Sequence, residues 1–479
     1  MDHKEPVLYW VRRDFRLSDN RALTAAVENG RPVVFVLIRD QQLRDLGAAA
    51  SQRYEAAVQD FSERLTSKGQ RLILRSGEPA LVLKVVSQET GATQVVWNRL
   101  YDVGNRENDA ITKAKLTEQG LRVRSFRGQL LFEPWDVSPA SGPFYQVYSP
   151  FWRSVRTRTV TEPLIAPLQL PAPRVWPRSE ILKDWNLSVK MCRGADVLAV
   201  HLRVGETQAQ NTLHRFLIHC IAAYKSDRDY PSRPATSGLS EPLTYGEITP
   251  HQIWSAAQRH LQDGSPGAEH FLKELFWREF AYHLNFHTPH IETRNWRAGW
   301  DSFGWSATSP HLDAWKQGRT GVPFVDAAMR ELYVTGIMHN RARMIVGSYL
   351  TKHMLVDWRV GQAWFQECLI DWDPASNAMG WQWVAGCGPD ASPFFRIFNP
   401  ARQQAQYDPN NTYINRWIAE GSEDPSAEAQ SYFDAIPNSW SLSPNEKYPP
   451  KPVVDLAHGR NLALEAYQNH RAKKEKNVV

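Results

Sequence analysis

Hydrophobic and polar positions change rhythm twice along this chain. Through about the first 130 residues, short apolar runs alternate with stretches spaced for helices. The run Val7-Leu8-Tyr9-Trp10-Val11 predicts a buried strand, residues 12–16 a polar turn, and Asp19-Asn20-Arg21-Ala22-Leu23 the opening of a helix. Residues 32–38 predict a second strand. Residues 51–68 predict a helix, because Tyr54, Ala57, Val58, Phe61 and Leu65 fall at helical spacing. Residues 71–75, 94–97 and 121–126 predict further strands. Strands alternating with helices imply a parallel α/β sheet. Ligands of such sheets usually sit at the carboxyl ends of the strands. No G-x-G-x-x-G follows the first strand, which argues against a dinucleotide site of that type there.

The rhythm then breaks. Pro134, Pro139, Pro143, Pro150, Pro163, Pro167, Pro171, Pro173 and Pro177 rule out long elements. Trp135, Phe144, Tyr145, Tyr148, Phe151 and Trp152 punctuate the stretch, so an ordered, wrapping linker is expected. From about residue 196 the pattern is helical until Pro449, Pro450 and Pro452. The basic run Arg471-Ala472-Lys473-Lys474-Glu475-Lys476 reads as a frayed tail. The expected organisation is an α/β domain over 1–133, a linker over 134–195, a helical domain over 196–455 and a tail over 456–479.

Composition narrows the class of protein. The chain has 479 residues, a formal net charge of +5, 42% hydrophobic and 22% charged residues, an ordinary globular mix. No apolar run approaches the ~18–20 residues of a membrane helix. The start lacks the apolar core of a signal peptide, so a cytoplasmic location and no membrane partner are expected. Four cysteines without a C-x-x-C pair exclude a disulfide scaffold and leave no metal site expected. Three of the four sit among apolar or small residues and are expected to be buried free thiols. The mild basic balance is compatible with nucleic acid without requiring it. The 19 tryptophans fit either a rich core or stacking surfaces and an electron relay.

Three helical stretches carry candidate chemistry. Over 269–284, Phe271, Leu272, Leu275, Phe276 and Phe280 form an apolar stripe, while Glu274, Trp277 and Arg278 share another face. That face is either a solvated Glu274–Arg278 pair beside an indole or part of a site. Over 338–355, read as one helix, Asn340, Arg341 and Met344 crowd one edge near the start. An amide, a guanidinium and a thioether could read the edge and face of a base, or be ordinary surface. In the third stretch, residues 370–383, Asp373 before Pro374 is a helix cap and Asn377 and Trp381 follow at steps of four. Gly380 in mid-helix costs about 1 kcal/mol against Ala, so something approaches the backbone closely. Trp381 and Trp383 flank Gln382. The set fits a flat cofactor with a stacked base, or a Trp-rich core helix.

Taken together, the chain resembles the DNA photolyase/cryptochrome flavoprotein family over nearly its whole length, most closely the bacterial cyclobutane pyrimidine dimer photolyases of class I/III type. The resemblance rests on residues 10–17 (WVRRDFRL), 276–280 (FWREF), 320–330 (TGVPFVDAAMR), 338–341 (MHNR), 370–383 and 395–400 (FRIFNP). It implies an N-terminal parallel-sheet, Rossmann-like antenna domain joined by a long linker to a large all-helical domain holding a U-shaped FAD. It also implies light-driven electron transfer to a lesion in UV-damaged DNA, single- or double-stranded, by a monomer.

Carried over by motif, Tyr224, Thr236, Ser237, Leu239 and Ser240 would hold the FAD phosphates. Arg278, Arg343, Asp371, Asp373 and Asn377 would also hold FAD, with Asn377 beside flavin N5. Trp381, Trp358 and Trp305 match the family's tryptophan chain for photoreduction. Glu274, Trp277, Asn340, Arg341, Met344 and Trp383 would recognise the flipped dimer, a step the family is known for.

The resemblance also separates branches. Asn340 stands where (6-4) photolyases carry His, and Asn377 where plant cryptochromes carry Asp. Cys220, Cys368 and Cys387 are too few for the iron–sulfur branch. Phe271 departs from relatives with Trp there. For the antenna, folate-binding relatives carry Asn-Glu where this chain has Gly104-Asn105. Arg53 and Asp102 favour 8-hydroxy-deazaflavin, with methenyltetrahydrofolate, FMN or an empty site open. The competing functional readings are a cryptochrome-like blue-light photoreceptor and a flavin-binding protein without a DNA role.

Overall fold

A computed structural model describes residues 4–391 and 393–476. Strands β1 (Val7–Val11), β2 (Val33–Arg39), β3 (Leu72–Ser76), β4 (Gln94–Asn98) and β5 (Arg122–Phe126) form one parallel sheet in the order β3-β2-β1-β4-β5. Val7 pairs with Val33 on one side and Gln94 on the other. All five residues of β1 are buried, because helices cover both faces of a parallel sheet and leave no side of the strand to water. Tyr9, Phe35 and Phe61 pack on one face, Trp10, Val36 and Trp97 on the other. β5 is an edge strand, and its exposed Arg122 and Arg124 keep that edge from pairing further.

The strand order reverses between β1 and β4, where a ligand of such a sheet would sit. Side chains fill that crevice instead. Asp14 accepts from the Tyr9 hydroxyl, from Asn98 Nδ2 at 2.7 Å and from the Arg12 amide at 2.9 Å. Arg12 reaches across to Asp109 and to the Asn98 carbonyl. The missing glycine motif and the plugged crevice agree.

Helix α1 (Ala48–Thr66) flanks the sheet and turns toward the helical part of the chain. The segment after β5 is ordered, as its aromatic residues suggested. It contains α2 (Tyr148–Val155) and then lies extended on the α/β domain, where the Val33 amide donates to Pro171 O at 3.0 Å and the Glu180 amide to Leu74 O at 2.8 Å. The two parts of the chain meet closely at Gly246. Its φ is +61°, and a Cβ there would lie 2.1 Å from the Arg13 carbonyl oxygen, so no other residue fits.

The helices that frame the large cavity are α3 (Ala268–His287), α4 (Asn340–Ser348), α5 (Trp358–Cys368) and α6 (Pro374–Ala385). α6 starts as its sequence requires. Asp373 accepts from the Ser376 amide at 2.8 Å, Pro374 opens the first turn, and Gly386 at φ +92° ends the helix.

Two expectations about this region are corrected. Residues 338–355 are not one helix. α4 ends at Ser348 and a fully buried π-turn follows over Tyr349–His353. The turn aims the Thr351 carbonyl at Trp305 Nε1, 2.9 Å away. The last three residues of the expected tail lie outside the described residues. Residues 456–476 do not form a frayed tail. They form helix α7 (Leu456–Lys476), seated on the π-turn where Gly459 meets the His353 carbonyl. Its Ala463 is buried against Phe303 and Phe394, and its Tyr467 stacks on Phe394 at 5.2 Å.

Cys368 and Cys387 are buried, Cys220 is partly buried and Cys192 is exposed, one fewer buried thiol than expected. Among the described residues no His/Cys/Asp/Glu group could hold a metal ion, and no helix is long and apolar enough to cross a membrane.

Candidate functional site

α3, α4 and α6 lean together over the segment 224–244 and enclose a cavity of about 530 Å³. Tyr224, Ser237, Leu239 and Ser240 line one side. Arg278, Arg343, Asp371, Asp373 and Asn377 line the floor, and Glu274, Trp277, Asn340, Met344 and Trp383 line the remaining wall together with Trp381. Residues far apart in the chain and chosen from motifs therefore share one space.

The charged groups are held in place. Arg343 Nη2 bridges both oxygens of Asp371 at 2.9 and 2.8 Å, while its Nε donates to Met338 O at 2.8 Å. Charge-assisted pairing of this kind fixes a guanidinium more firmly than a neutral hydrogen bond does. Asp373 caps α6 with one oxygen and accepts from the Tyr282 hydroxyl with the other. Asn377 Nδ2 donates to Asp373 O at 3.1 Å, which leaves Oδ1 as the atom able to accept from a ligand N–H. Burial raises the Tyr224 phenol, so it remains a donor at any physiological pH.

Glu274 does not pair with Arg278, the solvated alternative its spacing allowed. Its partner is Arg228, and the Arg278 Nη1 donates to Gln129 O at 2.8 Å. Burial works against the charge on Arg228, but Tyr224 and Glu274 beside it raise the guanidinium on balance.

The cavity suits a flat, polyanionic cofactor. Hydroxyls of Ser237 and Ser240 and the guanidinium groups of Arg278 and Arg343 offer donors to phosphates, and Phe271, Leu275 and Phe365 supply apolar wall. Two details point to a missing neighbour. A Cβ built on Gly380 meets no protein atom within 4 Å, although the glycine sits in the middle of α6. Trp381 Nε1 is buried without a hydrogen-bond partner. No protein group makes the close approach expected at Gly380, whose backbone is open on that side. Trp381 owes its own place to two other glycines: a Cβ on Gly361 would lie 2.1 Å from its ring, and one on Gly347 3.5 Å.

Trp381, Trp358 and Trp305 share one hydrophobic cluster. Of the three, Trp381 lines the cavity and is 4% exposed, Trp358 is fully buried and Trp305 is half-buried. Trp358 Nε1 donates to Asn295 Oδ1 at 2.9 Å.

Four of the residues carried over by motif lie elsewhere. Thr236 is exposed and does not line the cavity. Arg341 is turned toward Asp229, 2.7 Å away, and lies over the Tyr407 ring. Arg53 is wholly buried between Glu241 and Glu247, where it ties α1 to the helical domain and offers nothing to a chromophore. Asp102 is also committed. It accepts from the Asn105 amide and side chain and pairs with Arg13. A second cavity, about 370 Å³, opens beside it between Arg99, Tyr101, Arg106 and the half-exposed Trp135.

Sequence reasoning missed Arg228, although its spacing of four from Tyr224 was a usable signal. It also missed Ser376 and Met379, which line the cavity on turns of α6 between the residues it named.

Known proteins match this arrangement. A family model described as DNA photolyase matches residues 7–173, and one described as the FAD binding domain of DNA photolyase matches residues 271–469. The deoxyribodipyrimidine photo-lyase of Agrobacterium fabrum is 44% identical over 468 residues, 96% of this chain and 97% of that protein. The crystal structure of a bacterial class III photolyase from Agrobacterium tumefaciens superposes with a TM-score of 0.91 at 42% identity, covering 98% of this chain and 99% of that one. Cryptochrome-2 of Arabidopsis thaliana is 29% identical over 98% of this chain and 80% of its own length. The chain belongs to the DNA photolyase family and carries that family's FAD-binding domain.

Proposed function

We propose that this enzyme repairs cyclobutane pyrimidine dimers in DNA under light. The observation that carries the reading is the shared cavity: Glu274, Trp277, Asn340, Met344 and Trp383 face the same space as Asn377, Arg343 and Asp371. FAD, when bound, supplies the light-driven electron.

The residues divide the remaining work. Arg278, Arg343, Asp371, Asp373 and Asn377 would hold the cofactor, and the hydroxyls of Ser237 and Ser240 would offer donors to its phosphates. Trp277 and Trp383 flank the flipped bases, whose extrusion costs less at a distorted dimer than at a normal pair. Glu274, oriented by Arg228, accepts base N–H groups, and Asn340 reads the carbonyl edge. Trp305, Trp358 and Trp381 would pass an electron inward to the bound cofactor, the oxidised outer ring being refilled by a reductant in solution. Binding of the DNA phosphates by basic side chains would make affinity weaken as salt rises. The cavity beside Tyr101 and Trp135 is where a second chromophore would bind. Because Arg53 and Asp102 are committed, the preference for 8-hydroxy-deazaflavin over methenyltetrahydrofolate rests on Gly104-Asn105 alone, and the absorption spectrum of the extracted chromophore decides.

The test is repair itself. Purified, chemically reduced protein is mixed with a thymine-dimer oligonucleotide, and thymine absorbance is followed under blue light against a dark control. Recovery in light alone is expected. No recovery from fully reduced protein would overturn the reading in favour of a photoreceptor.

A further inference from the structure

Trp277 does not stand alone on α3. The ring of Tyr148, from the first residue of α2, lies face to face with its indole, with centroids 3.7 Å apart and planes within 8°. Tyr148 is 7% exposed and does not line the cavity, whereas Trp277 does. One indole face is therefore occupied by protein and the other side remains for a ligand.

Tyr148 is itself fixed at two points. Its hydroxyl donates to Lys273 O at 2.7 Å, one turn before Trp277 on the same helix. Its backbone amide donates to Asp390 Oδ2 at 3.0 Å. α2 has no side-chain cap of its own, so the carboxylate of Asp390, in the loop after α6, takes that part. Upstream, the same segment is laid along α3. Phe144 stacks on His287 at 5.1 Å, and the Tyr145 amide donates to His283 Nε2 at 3.0 Å. The linker is thus a strap along α3 that covers the back of Trp277 and continues onto Phe280 and Phe276 through Phe151 and Trp152.

We propose that Tyr148 is a positioning residue for Trp277: it presses the indole into the orientation in which the free face receives a flipped pyrimidine, so that the linker, and not only the helical domain, sets lesion affinity. The proposal rests on the reading of Trp277 as a base clamp. A flat ring fixed before the ligand arrives loses less freedom on binding than one that must be ordered, and that difference reaches affinity directly.

The experiment uses the full chain loaded with FAD. Dissociation constants for a thymine-dimer oligonucleotide are measured in the dark, and repair per bound lesion in the light. Tyr148→Leu is expected to weaken dark binding about 2- to 10-fold, the range an aromatic pair is worth, with repair per bound lesion unchanged. Tyr148→Phe, which keeps the stack and loses the hydroxyl, recovers most of the affinity. In a Trp277→Ala background, Tyr148→Leu is expected to add nothing, since the ring it positions is gone. Full affinity in Tyr148→Leu, or an equal further loss in the Trp277→Ala background, overturns the proposal. If Trp277→Ala alone keeps full affinity, the clamp reading fails and the proposal with it. Should Tyr148→Leu purify without flavin, Asp390 carries the test. Asp390 has φ +45°, so Asp390→Gly removes the carboxylate without backbone strain and should weaken binding, while Asp390→Asn keeps an acceptor and should not. Equal affinity in the Gly and Asn variants and the unaltered protein overturns the proposal.

Discussion

Two arginine–carboxylate sites, one on α1 and one on α4, use the same chemistry to opposite ends. Arg53 and its partners Glu241 and Glu247 are 0%, 3% and 0% exposed, and every contact is made by protein. Arg343 keeps a quarter of its side chain open beside Asp371 and faces the cavity. The closed site joins domains. The open one is the site proposed for the cofactor. Residue type is the same in both, so what separates a structural guanidinium from a binding one is whether its last surface is covered by the chain itself.

That contrast can be broken. The largest effect is expected at the closed site. Arg53→Leu strands two buried carboxylates and should cost about 3–5 kcal/mol of stability, read from denaturant melts, while FAD per folded molecule stays unchanged. A loss of flavin without a loss of stability would reverse the assignment. Arg343→Gln should do the converse, with FAD retention during dialysis falling roughly tenfold or more and a smaller change in stability. Equal retention would remove Arg343 from the cofactor site.

A third case sharpens the comparison, because Lys352 is a closed site without a counter-charge. Its side chain is fully buried in the π-turn, and its Nζ donates to Arg396 O at 2.9 Å. Burial, aided by nearby Arg396, lowers the ammonium from its ordinary 10.5 to about 7. Between about pH 7 and 10.5 the unfolded chain therefore holds a proton that the folded one has released, and stability contributed by this group rises with pH across that window. Lys352→Met should flatten the rise in melting temperature over that range. An unaltered profile would show that the lysine is charged in the fold.

Much of this was legible in advance, for identifiable reasons. β1, β2 and β4 were found because strands buried on both faces are unbroken apolar runs. Asp373-Pro374 marked the start of α6 because cap and first turn are local. Residues Glu274, Trp277, Asn340, Met344, Asn377 and Trp383 were placed by motif and do converge. Arg53 was misread because its partners lie 188 and 194 residues away, and nothing near it in sequence announces them. The π-turn was invisible because its five residues, Tyr-Leu-Thr-Lys-His, still fit a helical rhythm. α7 was mistaken for a tail because Ala463, Tyr467 and His470, spaced by four and three, are a thin stripe among lysines and arginines. The stack of Tyr148 on Trp277 is a long-range contact that no local pattern encodes.

The π-turn also has a meaning at the level of the gene. A π-turn is an α-helix with one surplus residue, so Tyr349–His353 amounts to one codon more than a plain helix needs. Removing any one of the five codons would leave an in-frame protein whose helix closes smoothly. Each residue advances a helix by about 100°, however, so everything beyond the cut would swing round. The Thr351 carbonyl would leave the Trp305 indole, and the His353 carbonyl would leave the seat of Gly459. At this point of the chain a silent-looking deletion should be more damaging than most substitutions, and lineages should keep the length of the segment even where its letters drift.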